Sequence, residues 1–193
     1  METVRAFIAI HLNEALQKEL AAAQKSLPLG PAVRWTRPEQ IHLTLKFLGE
    51  IPAESAEELA ASLRRGCETL APFSLRFDGL GCFPNHKKPR IVWVGLGGDL
   101  EALQELFRRV DYECVTLTGR SEDRPFTPHL TLGRVKDTHA RELQRIGTAL
   151  QTAKISLRGE WTVREVSLMR SELTPKGAIH TELAQIELRG ANS

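Results

Sequence analysis

One short repeat constrains this chain more tightly than anything in its composition. His42-Leu43-Thr44-Leu45 recurs unchanged as His129-Leu130-Thr131-Leu132. With 6 histidines in 193 residues, chance supplies about 0.4 H-x-T matches, and about 0.01 once both leucines are required. In a strand, residues two apart share a face. Each copy therefore sets an imidazole beside a hydroxyl and turns its leucines the other way, into a core. Two copies, one in each half of the chain, predict a pseudo-twofold in which the His-Thr faces oppose each other across a groove.

Such a pairing suits phosphodiester cleavage. The reaction needs a base to activate water and an acid to protonate the departing alkoxide, both with pKa values near the working pH, which only histidine has unperturbed. Two hydroxyls can donate to the non-bridging oxygens, where charge concentrates in the transition state. A lone His beside an apolar strand is more often a surface or core residue, but one repeat supplies half of a catalytic set and two supply all of it. Zinc is the sharper rival. Neither repeat holds a second His, Cys or carboxylate at ligand spacing, so no metal and no other cofactor is expected.

The rest of the chain reads as mixed helices and strands. A strand over Val4–Ile10 is followed by a helix capped by Asn13, with Leu16, Leu20, Ala23 and Leu27 on one face. A short strand at Val33–Thr36 leads to the first repeat within Ile41–Leu48, a helix over Ala53–Leu70, and strands at Phe73–Phe77 and Arg90–Val94. The second half replays this order: a helix capped by Asp99, an irregular segment Thr118–Pro128, a strand at His129–Val135 and a helix near His139–Gln151. Strands at Ile155–Val163, Glu165–Ser171 and His180–Leu188 close the chain. No regular βαβ alternation appears, and several strands follow one another closely. This predicts an α+β fold with antiparallel sheets, one domain over 1–193 with two lobes that each carry one motif.

Composition excludes more than it selects. A net charge of +2 permits an anionic ligand without demanding one. No apolar run approaches the ~18 residues of a membrane helix, and the first strand lacks the features of a signal peptide. Cys67, Cys82 and Cys114 form no C-x-x-C pair, which fits free thiols in a reducing, cytoplasmic compartment. His11, His86 and His139 read as solvated. Lys87, Lys88 and Arg90 form a small basic loop able to steer an RNA backbone, although a charge run is usually a solvated face. Trp35 and Phe47 fall at strand positions where core packing is expected, with base stacking as the alternative.

Along nearly its whole length the sequence resembles the 2H phosphoesterases, and within them the bacterial and archaeal RNA 2′,3′-cyclic phosphodiesterases once called 2′-5′ RNA ligases. Arg5-Ala6-Phe7-Ile8-Ala9-Ile10 is similar to the family's opening strand. Val33-Arg34-Trp35 with Ile41-His42-Leu43-Thr44-Leu45-Lys46-Phe47-Leu48-Gly49 resembles its first motif block, and Arg124-Pro125-Phe126-Thr127-Pro128-His129-Leu130-Thr131-Leu132-Gly133-Arg134 its second. The resemblance implies a bilobal fold around a central groove, with His42 as proton donor and His129 as proton acceptor. Thr44 and Thr131 would hold phosphate oxygens and Arg134 would add charge. The implied substrate is RNA ending in a 2′,3′-cyclic phosphate, opened to a 2′-phosphate by a monomer, with a weak 2′-5′ joining reaction in reverse.

Two residues fit this pattern less simply. Strict alternation from His129 puts Arg134 behind the strand, so it reaches phosphate only across a twist or bulge. The same alternation puts Lys46 on the face of His42 and Thr44, as a further phosphate contact or as a solvated strand-end lysine. The family has Tyr where His180 stands, which leaves the base contacts open. Two rival functions share the motifs: turnover of a small cyclic nucleotide or 2′-5′ linked compound, and nucleotide or RNA binding without turnover. Binding alone needs no matched acid and base.

Overall fold

The computed structural model describes residues 2–119, 125–175 and 177–190. Its first strand, β1 (Thr3–His11), already defines two faces. Val4, Ala6, Ile8 and Ile10 enter the main core, whereas Phe7 and Ala9 form a small cluster with Met169 on the other side. Asn13 ends the strand and caps α1 (Glu14–Ser26), its Oδ1 accepting from the Leu16 amide at 3.0 Å. There follow β2 (Val33–Trp35), a 3₁₀ turn over Pro38–Gln40, β3 (His42–Pro52), α2 (Ser55–Cys67), β4 (Phe73–Phe83) and β5 (Ile91–Gly98). The second half contributes α3 (Leu100–Thr118), β6 (His129–Val135), α4 (Ala140–Thr152), β7 (Glu160–Val163), β8 (Glu165–Thr174) and β9 (Gly177–Glu187).

The α+β class and the antiparallel pairing are as expected, but the strands form one curled sheet of nine. Their order is β7-β4-β5-β6-β3-β1-β8-β9, with β2 added beside β6. The two lobes are thus the flanks of a single sheet, and the two repeats lie on its central strands, where Leu43 of β3 faces Leu130 of β6. Two of the helices exchange sides. From the first half, α1 lies behind the β6 flank, its Gln24 amide donating to the Leu132 carbonyl at 2.9 Å. From the second half, α3 packs behind β3 and against α2. Contrary to the sequence expectation, Asp99 does not cap α3 with its side chain; its carboxylate accepts from the Ser74 amide at 2.8 Å and ties α3 to β4 instead. Gly119, in the left-handed region at φ 67°, closes α3. The irregular segment and Arg124 fall partly or wholly within residues 120–124, outside the described residues.

Among the described residues one charged side chain is buried in this core. Lys46 is 3% exposed and its ammonium pairs with Asp111 of α3. Removing one partner of such a pair strands a charge, whereas replacing both with apolar groups is near neutral. Asp111→Ala should therefore cost about 3–5 kcal/mol in urea unfolding, while Lys46→Met combined with Asp111→Leu should fall within about 1 kcal/mol of the parent. A cost below about 1 kcal/mol for Asp111→Ala would show that the pair does not anchor α3 to β3.

Candidate active site

Both repeats keep strict alternation for four residues and then break it in the same place. In β3, Thr44 pairs with Ala9 and Lys46 with Ile8, so Leu45 is the extra residue of a bulge. In β6, Thr131 pairs with Trp93 and Gly133 with Val92, so Leu132 is extra. After each bulge the faces swap. His42 and Thr44, and likewise His129 and Thr131, face the groove. Then Phe47 and Arg134 return to that face, while Lys46 and Gly133 turn to the back.

This geometry decides three of the sequence readings. Arg134 lines the groove because the bulge it required is present. Lys46 does not share the face of His42 and Thr44; the bulge at Leu45 sends it to Asp111, away from the groove. Phe47 is not core: it is 67% exposed and lines the groove beside Phe7, their ring centres 6.1 Å apart. Trp35 is half-buried and lies over Gly133, where a Cβ would come within 2.9 Å of its ring and 3.0 Å of the Arg34 carbonyl. A side chain at Gly133 would push β2 off β6, which accounts for glycine at the position matching Lys46.

The two histidines are held alike. His42 Nδ1 lies 2.8 Å from the Gln40 carbonyl, and His129 Nδ1 lies 2.7 Å from the Thr127 carbonyl. A carbonyl only accepts, so each Nδ1 carries hydrogen and each Nε2 is left for the groove. Each ring also rests on an aromatic side chain. Phe7 stacks on His42 at 4.9 Å, and Phe83 meets His129 edge-on at 4.9 Å. Neither support is legible in the sequence. Phe7 sits in an unbroken apolar run that hides which face each residue takes, and Phe83 precedes a loop.

The remaining histidines divide. His180 comes within 5.3 Å of His42, ring to ring, from the β8–β9 hairpin, and His11 within 6.5 Å. His11 is exposed, as expected, with Nε2 3.2 Å from the Met169 sulfur. His86 and His139 lie away from the groove. The basic loop does too: Lys87 and Lys88 donate their amides to Asn85 Oδ1, and Arg90 pairs with Asp137 at 3.3 Å. All three cysteines are buried, and burial pushes the Cys67 and Cys114 thiols up to about 12, as suits small apolar fillers. Among the described residues no three His, Cys, Asp or Glu side chains converge as metal ligands, and no helix is long and apolar enough to cross a membrane.

Two bulged strands that set matched His-Thr pairs side by side in one groove define a two-histidine phosphoesterase fold. The model of the LigT-like phosphoesterase family matches residues 10–93 and again 98–180, one match for each repeat. The chain belongs to that family. It is 37% identical to an RNA 2′,3′-cyclic phosphodiesterase of Methanothermobacter thermautotrophicus over 96% of this chain and 99% of the relative. With a protein of the same description from Archaeoglobus fulgidus, identity is 34% over 95% and 100%. Among solved structures it resembles TT0787 of Thermus thermophilus, with a TM-score of 0.80 and 31% identity over 97% of this chain and 100% of that one. Escherichia coli LigT complexed with 3′-AMP gives 0.77 and 25% over 97% and 99%.

The electrostatics of the first histidine are unusual. Burial is the main cause that lowers the His42 pKa to about 4; the Gln40 carbonyl opposes it, and His180 and His11 add to it. Burial, and then His11, also lower the pKa of His180. Below its ordinary pKa an unfolded His42 binds a proton that the folded one refuses, so the folded state loses stability as pH falls from about 6.5 to about 4. His42→Asn should therefore lose less thermal stability than the parent between pH 7 and pH 4.5. In the parent, the His42 ring signals in NMR should titrate near pH 4. A titration near pH 6.5 would contradict the burial argument.

Proposed function

We propose that this protein hydrolyses 2′,3′-cyclic phosphates at RNA 3′ ends and leaves a 2′-phosphate. The observation that carries the reading is the pair of imidazoles, each with Nδ1 engaged by a backbone carbonyl and Nε2 turned to one groove. The relatives described as RNA 2′,3′-cyclic phosphodiesterases support the choice of substrate. The 193 residues act as one domain, and both repeats come from one chain, so a monomer suffices. Three buried free thiols suit the cytoplasm.

In this reading water attacks phosphorus while His129 Nε2 takes its proton. The P–O3′ bond breaks, the O2′–P bond survives, and His42 delivers a proton from Nε2 to O3′. The Thr44 and Thr131 hydroxyls donate to the non-bridging oxygens, and Arg134 adds positive charge beside them. Lys46 has no part. A 5′-hydroxyl that attacks in place of water breaks the same P–O3′ bond and joins the strands 2′-5′. A donor whose pKa is about 4 in the free protein is unprotonated at neutral pH. The phosphate anion must therefore raise it on binding, so that His42 acquires its proton together with the substrate. The reaction so written uses neither a metal nor ATP.

His42→Ala and His129→Ala should each lower the rate on a cyclic-phosphate oligonucleotide by about 10²–10⁴-fold. Thr44→Ala and Thr131→Ala should cost about 10–10³-fold, because water replaces part of a lost donor. Exhaustive chelation should leave the rate unchanged. The limb that His42 contributes to the pH profile of kcat/KM should lie near pH 4 and move upward in the profile of kcat. Near-normal turnover in either histidine variant, or activity lost to chelation and restored by zinc or manganese, would overturn the mechanism.

A further inference from the structure

The groove holds more positive charge than one cyclic phosphate needs. Arg5, Arg34, Arg37 and Arg134 all line it, and none of its described lining residues is Asp or Glu. The whole chain carries a net charge of only +2, so the balance outside the groove is negative. Six of the twelve described arginines outside the groove pair with a carboxylate, among them Arg145 with Glu142 at 2.7 Å and Arg170 with Glu172 at 2.8 Å. Among the described residues the four groove arginines form no ion pair, although Glu50 stands opposite Arg5 in the β1–β3 register and Glu39 follows Arg37 closely in sequence.

Two of the four are set against each other. Arg34 of β2 is the direct register partner of Arg134 of β6. Like charges facing across an antiparallel pair repel and weaken it, unless an anion lies between or beside them. Arg34 and Arg37 also stand on a fixed rim. The Thr36 amide donates to the Leu132 carbonyl at 2.8 Å, and Gln24 donates to the Thr36 carbonyl at 2.8 Å. Gln40 donates to the Ala178 carbonyl at 2.6 Å, tying the rim to β9 across the groove. Guanidinium groups shown from a braced backbone are pre-organised for phosphate, which they bind by paired N–H donors.

We infer that Arg34 and Arg37 on the rim, with Arg5 on the opposite flank, hold backbone phosphates of nucleotides beyond the cyclic end. The protein is therefore an oligonucleotide enzyme, selecting a strand over a cyclic mononucleotide. This rests on the proposed function, because the cyclic phosphate fixes where the strand begins. Arg134 serves the reacting phosphate and is left out of the test.

The test is a length series of RNAs of one to six nucleotides, each ending in a 2′,3′-cyclic phosphate. For the parent protein kcat/KM should rise by about tenfold for each phosphate that meets an arginine, and then level off. Arg34→Gln with Arg37→Gln, both at exposed positions, should leave the cyclic mononucleotide within about twofold while cutting the oligonucleotide rate about 10–100-fold. The slope of log kcat/KM against log salt should become shallower by about 0.7 per arginine removed. Arg5→Gln should do the same by one step. A flat length series, equal losses on short and long substrates, or an unchanged salt slope would overturn the inference. Failure to turn over any member of the series sinks the proposed function instead. Equilibrium binding of the same RNAs ending in a 2′-phosphate then decides the arginine assignment alone: affinity rising with length and falling in the double variant upholds it, and affinity independent of either refutes it.

Discussion

The pairing of β3 with β6 is the contact on which the site depends. With Leu43 opposite Leu130, two strands from different halves of the chain become neighbours at the centre of one sheet. Their leucines enter a common core, and the His-Thr pairs are left on the same side of the sheet. The exchange of helices reinforces this join. α1 backs the flank built around β6, and α3 backs the one built around β3, so neither half buries its apolar face without the other. Separation of the flanks would expose core and dissolve the site together.

Matched bulges turn that symmetric platform into an asymmetric site. Each repeat gains one extra residue after its threonine, and each then presents a new side chain to the groove. In the second repeat that side chain is Arg134, a positive charge. In the first it is Phe47, an exposed ring suited to stacking a base. The residues turned backward differ in the same sense. Lys46 reaches Asp111 to anchor α3, and Gly133 makes room for β2 and Trp35. One backbone device, used twice, thus brings a charge to the groove from one repeat and an aromatic ring from the other.

How much of this the sequence discloses follows from the range of each interaction. The repeat, the helix faces and the Asn13 cap are short-range patterns, and a single strand or turn contains them whole. The faces of Lys46 and Phe47 are not local. They depend on which residue of β1 each meets, and a strand read alone gives period two throughout. Arg134 shows the same limit from the other side, since its role named the bulge it needed but no local signal supplied one. His180 approaches His42 from a hairpin far along the chain, and Asp99 bonds β4 in place of its own helix. Union of the strands into one sheet is likewise a property of the pair of repeats, which neither repeat contains.

In the proposed reaction each imidazole moves one proton, water enters at phosphorus and only the bond to O3′ breaks. The most direct measurement is ³¹P NMR of an RNA ending in a 2′,3′-cyclic phosphate, incubated with the protein in water enriched in ¹⁸O. The two-imidazole mechanism predicts a single product, a 2′-phosphomonoester with one ¹⁸O bound to phosphorus. A 3′-phosphate, a mixture of the two isomers, or a product without the label would contradict it.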